Sequence, residues 1–179
     1  MARIVLTYGL ISGAIIIGGI LGTIILNGDA PHSNVWLGYL IMLVALSAIL
    51  VGVKQHRDQT LGGVIRFWPA LGVGVAIALV ASAVYIAVWE VYLAATDYAF
   101  MDQYIAQMLA QERADGVTGA AYQKLVADME VMRGQYASPL FRVPMTFVEI
   151  FPVGLLVALA SAALLRNPRF LPARGPAAA

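Results

Sequence analysis

The chain has 179 residues, of which 61% are hydrophobic and only 12% charged, with a formal net charge of +1. Soluble globular proteins carry roughly 25% charged residues, so this composition excludes water as the main solvent. The absence of cysteine excludes disulfides, thiolate nucleophiles and cysteine-bound zinc or iron–sulfur centres.

The first apolar run, Ile4–Leu26, is uncharged and meets the roughly 20 residues needed to span hydrocarbon. It reads as a transmembrane helix rather than a cleaved leader, whose apolar core is about 7 to 15 residues. The second crossing is Val35–Val53, with Trp36 and Tyr39 suited to the headgroup layer, and it stops at the polar run KQHRD. The third, Phe67–Tyr92, follows Arg66 and carries Pro69 in its first turn, where no helical partner for an N–H is missing. The fourth, Leu140–Leu165, is closed by Arg166.

Between the third and fourth crossings, residues Thr96–Ser138 hold Gly116 and Gly119 between two amphipathic patterns. Phe100, Met101, Tyr104, Ile105, Met108 and Leu109 recur at helical spacing, as do Tyr122, Leu125, Val126, Met129 and Met132. A helical hairpin is expected, its apolar stripe packed on itself or on the helix ends. The tail Arg166–Ala179, rich in proline and alanine, is expected to be disordered, its arginines close to lipid headgroups.

Basic residues set orientation. Arg3, Lys54, Arg57, Arg66, Arg166, Arg169 and Arg174 fall on one side, and Arg113, Lys124, Arg133 and Arg142 on the other. The positive-inside rule makes the first side cytoplasmic, and four crossings return the C-terminus to the side of the N-terminus. The expected architecture is therefore all-α: an integral membrane four-helix bundle, one domain over residues 1–179, with an extracytoplasmic hairpin between the last two crossings. KQHRD and Arg66 read as topology determinants and headgroup contacts, with no role for nucleic acid.

The motifs TYGL (Thr7–Leu10), GYLIML (Gly38–Leu43), VGVKQHRD (Val51–Asp58), LGGVIRF (Leu61–Phe67), YIAVWEVY (Tyr85–Tyr92) and PLFRVPMTFVEIFPVGLLVALASAALLR (Pro139–Arg166) run in order along the chain. In them the chain resembles a bacterial membrane family, domain-of-unknown-function family 4199. The resemblance implies a four-helix protein of the bacterial inner membrane and brings no activity or cofactor with it.

Two acids fall within the apolar runs, and an ionised side chain at a helix centre costs about 2.5 to 3.5 kcal/mol. By helical rise Glu149 lies about 25 Å from Arg166 and Glu90 about 36 Å from Arg66, which puts both toward the outer leaflet. Asp97 follows Glu90 by two turns and Arg142 precedes Glu149 by two turns, so Glu90, Asp97, Arg142 and Glu149 form a candidate polar cluster, with Asp29 and His32 above it. Pro152 lacks the N–H that would bond the carbonyl of Val148, so a kink beside Glu149 is expected. Two readings stand: ion pairs that tie the third and fourth crossings together, or a proton or cation site. A single histidine on that side does not make a metal site, and none is expected.

Gly9 with Gly13, and Gly18 with Gly22, are small-xxx-small pairs on the first crossing that serve either bundle packing or homo-oligomerisation. The expectation is a small non-enzymatic membrane protein without cofactor, structural or bound to a membrane partner. The rival is an oligomeric transporter or channel subunit using Glu90 and Glu149, and a membrane enzyme comes third.

Overall fold

The computed structural model describes residues 1–26 and 35–173. Asp29, His32 and Arg174 lie outside the described residues. The helices, in chain order, are α1 (Ala2–Leu26), α2 (Val35–Leu46), α3 (Ala48–Thr60), α4 (Phe67–Ala95), α5 (Ala99–Ala114), α6 (Gly119–Tyr136) and α7 (Pro139–Leu165). No strand occurs among the described residues.

Among the described residues four spans are long and apolar enough to cross a membrane: Ala2–Thr23, Trp36–Thr60, Phe67–Ala95 and Pro139–Leu165. Only 33 to 39% of each span's most apolar window is buried within the chain. The remainder, with Leu40, Val44, Val91, Val148 and Leu156 each at least half exposed, suits lipid or another helix and not water. The chain is a multi-pass membrane protein.

The second span joins α2 to α3 through Ser47. Its hydroxyl donates to the carbonyl of Val44 at 2.6 Å, and its N–H is shared between the carbonyls of Leu43 and Val44. This back-bonding tightens one turn without ending the span. The helix runs on past Val53 to Thr60, so KQHRD lies on a helix and not in a loop.

Glycines set how closely the helices approach. A Cβ on Gly9 would lie 2.5 Å from Val80, and one on Gly13 would lie 2.7 Å from Val84, which packs α1 parallel to α4. On the seam between α4 and α7, a Cβ on Gly74 would meet Ala158, and one on Gly154 would meet Ala78, each at 2.8 Å. Advancing four residues on α4 retreats four on α7, the register of antiparallel helices packed through small residues. Around Gly18 and Gly22 no described atom lies within 4 Å of such a Cβ, so among the described residues the first of the two pairs, and not the second, serves packing.

The hairpin forms as expected. α5 and α6 join through Gly116 and Gly119, whose φ of 89° and 63° are left-handed values that glycine adopts without cost. Met101, Ile105 and Met129 of the amphipathic stripe are buried, and Phe100, Tyr104, Met108, Leu125 and Met132 pack against the core.

The tail corrects two expectations. Residues 166–173 fold back on the end of α3 instead of remaining disordered, and Arg57 holds them there in place of facing headgroups. The Arg57 side chain is fully buried. Its Nη1 donates to the carbonyl of Phe170 at 2.9 Å, its Nη2 to the carbonyl of Leu171, and its Nε to Asp58 at 2.7 Å. Asp58 also pairs with Lys54.

Candidate functional site: an arginine at the junction of hairpin and bundle

The seam of α4 and α7 continues toward the hairpin. Twelve residues beyond Ala78 stands Glu90, and twelve before Gly154 stands Arg142, so the register that pairs Ala78 with Gly154 also pairs these two. Arg142 is 1% exposed and engages Glu90 through both arms: Nε donates to Oε1 at 2.7 Å and Nη2 to Oε2 at 2.5 Å. Planar guanidinium and planar carboxylate meet in the bidentate geometry that lysine cannot reproduce. Nη1 donates to the carbonyl of Tyr136 at 2.9 Å, which ties the end of α6 to the same arginine.

The guanidinium lies over the rings of Tyr98, 5.1 Å from its centroid, and Tyr136, 5.6 Å away, within the range of cation–π attraction. Tyr136 in turn accepts a hydrogen bond from Trp89 Nε1 at 3.0 Å. Burial raises the Tyr136 phenol above its ordinary pKa, and the bond from Trp89 and the charge of Arg142 oppose this only in part, so it stays a neutral hydroxyl near pH 7. Trp89 also stacks with Tyr85 and Tyr92 and meets the edge of Phe100 on α5 at 4.9 Å. A charged pair and an aromatic cluster therefore join α4, α5, α6 and α7.

The turn from α4 into α5 carries the site's backbone strain. The Tyr98 N–H donates to the carbonyl of Leu93 at 2.8 Å, the long-range bond of a Schellman cap. The cap puts Asp97 at the left-handed position where glycine is usual, at φ 49°, and Tyr98 follows at φ 57°. Asp97 and Arg142 share the walls of one cavity but do not form an ion pair.

Glu149 bonds to neither member of the pair, although its charge acts on the Tyr136 phenol. It lies on the exposed side of α7, seven residues and about 10 Å along the helix from Arg142. Among the described residues it has no ion pair or hydrogen bond, and its neighbours Met145, Val148 and Leu156 are exposed and apolar. α7 remains helical through Pro152, which leaves the carbonyl of Val148 without a helical donor. Of the four candidate residues, the structure joins Glu90 to Arg142, brings Asp97 to the same cavity, and leaves Glu149 on the outer face.

Tyr98, Tyr136 and Trp89 were not singled out by sequence reasoning. Nothing in their local spacing distinguishes them from other interfacial aromatics, and only the three-dimensional register brings them to Arg142. Among the described residues no group of three histidine, aspartate or glutamate side chains could hold a metal ion.

A protein-family model matches residues 7–167. The chain belongs to that family, described as Protein of unknown function (DUF4199). The match takes in the Glu90–Arg142 pair, Asp97, Glu149 and the hairpin, so every element of this site lies within the DUF4199 region. No curated protein and no solved structure matches the chain.

Proposed function

We propose that this DUF4199 protein is a non-enzymatic component of the bacterial inner membrane that binds a second membrane protein through the Glu149 face of α7. One observation carries the reading: among the described residues Glu149 is an exposed carboxyl in an apolar span with no ion pair or hydrogen bond, whereas Glu90 is neutralised by Arg142 and Asp58 by Lys54 and Arg57. Such a group in lipid must take a proton or a partner. The fitting partner is a transmembrane helix that offers a basic or hydrogen-bond-donating side chain at the same depth. Exposed Val148 and Leu156 supply apolar contact on either side of it.

The test is a photocrosslinker at Val148 in native membranes. A heterologous adduct is expected that disappears in Glu149→Leu while the amount of folded protein is unchanged. An adduct that persists in Glu149→Leu rejects docking through the carboxyl.

A second reading rests on the acceptor that Pro152 leaves free. The Val148 carbonyl stands one residue from Glu149, and a free acceptor and a carboxyl within one turn suit a proton or cation site in an oligomeric transporter. Ion flux in liposomes that is abolished by Glu149→Gln selects this reading over docking.

Both termini are assigned to the cytoplasm and the α5–α6 hairpin to the outer side, supported by the seven-to-four division of basic residues. Gly62 and Gly119 have left-handed φ, so reporter cysteines belong beside them, at Leu61 and Ala120. From outside intact cells Ala120→Cys is expected to be labelled and Leu61→Cys protected; the opposite result inverts the topology.

A further inference from the structure

The cavity at the base of the hairpin has a volume of about 400 Å³, within the roughly 300 to 1,000 Å³ of small-molecule sites. Its charges decide what it takes. Both arginines in its wall are already matched: Arg142 by Glu90, and Arg133 by Asp102 at 3.0 Å and Glu130 at 3.1 Å. An anion entering would meet no unpaired cation. Asp97 is the lining acid that has no ion pair among the described residues, and it is an exposed residue.

The rest of the wall suits the organic part of a cation. Tyr98, Tyr136 and Met101 line it, and the two rings already carry one cation, the guanidinium of Arg142. A second positive group can be shared between the carboxylate of Asp97 and the aromatic surface. A metal ion would need a denser set of ligands than a single free carboxylate. Asp97 and Tyr98 are, moreover, the successive left-handed residues of the α4–α5 turn. Glycine would relieve the strain at position 97 at the loss of this carboxylate, and strained non-glycine residues concentrate at ligand sites.

We infer that the cavity bounded by Asp97, Tyr98, Met101 and Tyr136 is a binding site for a small organic ammonium ion. The site is separate from the Glu149 face and does not depend on the reading of that face.

Trp89, bonded to Tyr136, is a built-in reporter. With Trp36 and Trp68 changed to Phe, its fluorescence in lipid nanodiscs is followed during titration with n-butylammonium, with n-butyrate, and with sodium chloride at matched ionic strength. The expected result is a saturable change with n-butylammonium alone, weakened about tenfold in Asp97→Asn. Asparagine tolerates the left-handed backbone, so this variant removes charge with the turn intact. Met101→Trp, read by calorimetry, fills the cavity with Asp97 in place and is expected to abolish binding. Equal responses to butyrate or sodium chloride, or parental affinity in either variant, overturn the inference.

Discussion

Arg142 faces Glu90 across the seam of α7 and α4 and grips it through two hydrogen bonds while a third arm reaches the end of α6. With Arg142 buried, removal of either partner strands the other's charge, which in buried pairs costs about 3 to 5 kcal/mol. Glu90→Gln and Arg142→Gln are each expected to lower unfolding free energy in detergent by about 3 kcal/mol. The double variant is expected to lose less than the sum, with a coupling of about 0.5 to 3 kcal/mol. A denaturant titration that returns strictly additive losses would show that the contact contributes nothing as a pair.

The two small-xxx-small glycine pairs of the first span look alike in sequence and differ in the fold, and the difference is measurable. Gly13→Val pushes a branched side chain into Val84 and is expected to destabilise the bundle by about 1 to 3 kcal/mol. Gly18→Val enters open space and is expected to leave monomer stability within about 0.5 kcal/mol. Thermal unfolding of both variants in detergent checks the contrast, and equal losses would contradict the packing of α1 on α4.

What the sequence made legible was whatever depends on length and local periodicity. The long apolar runs announced four spans, and the spacing of Met101, Ile105 and Met129 announced the buried stripe of the hairpin. Glu90 and Glu149 were equivalent as isolated acids in apolar runs. Their different environments follow from the register of α4 on α7, which small-residue contacts at Gly74 and Gly154 determine and local pattern does not reveal. Arg57 was misjudged for a related reason. An arginine after an apolar run usually marks the membrane surface, and its inward turn depends on carbonyls 113 and 114 residues away in the chain.

The Asp97 turn predicts a trade between stability and charge. A left-handed non-glycine residue costs roughly 1 kcal/mol, so Asp97→Gly is expected to raise stability by up to about 1 kcal/mol, with Asp97→Asn close to the parent. Unfolding curves of the three proteins under one condition check the order. A loss in Asp97→Gly would mean that the carboxylate supports the turn by more than its backbone conformation costs.

Arg57 makes a sharper prediction because its contacts reach a segment without helical structure. Residues 168–173 form no helix, and the two bonds from Arg57 to the carbonyls of Phe170 and Leu171 tie the tail to α3. Arg57→Ala removes both donors and leaves those carbonyls to water, which favours release of the segment. Arg166 and Arg169 are exposed, but cleavage at the Arg169–Phe170 bond requires the chain to leave Arg57 and enter a protease as an extended strand. Trypsin is therefore expected to cut that bond at least about tenfold faster in Arg57→Ala than in the parent, as opening becomes more favourable by about 1.4 kcal/mol or more. Arg57→Lys keeps the charge without the fork that reaches two successive carbonyls and is expected to fall between them. Mass spectrometry of timed digests in detergent reads all three rates, and a rate in Arg57→Ala equal to the parent's would mean that the tail is held by other contacts.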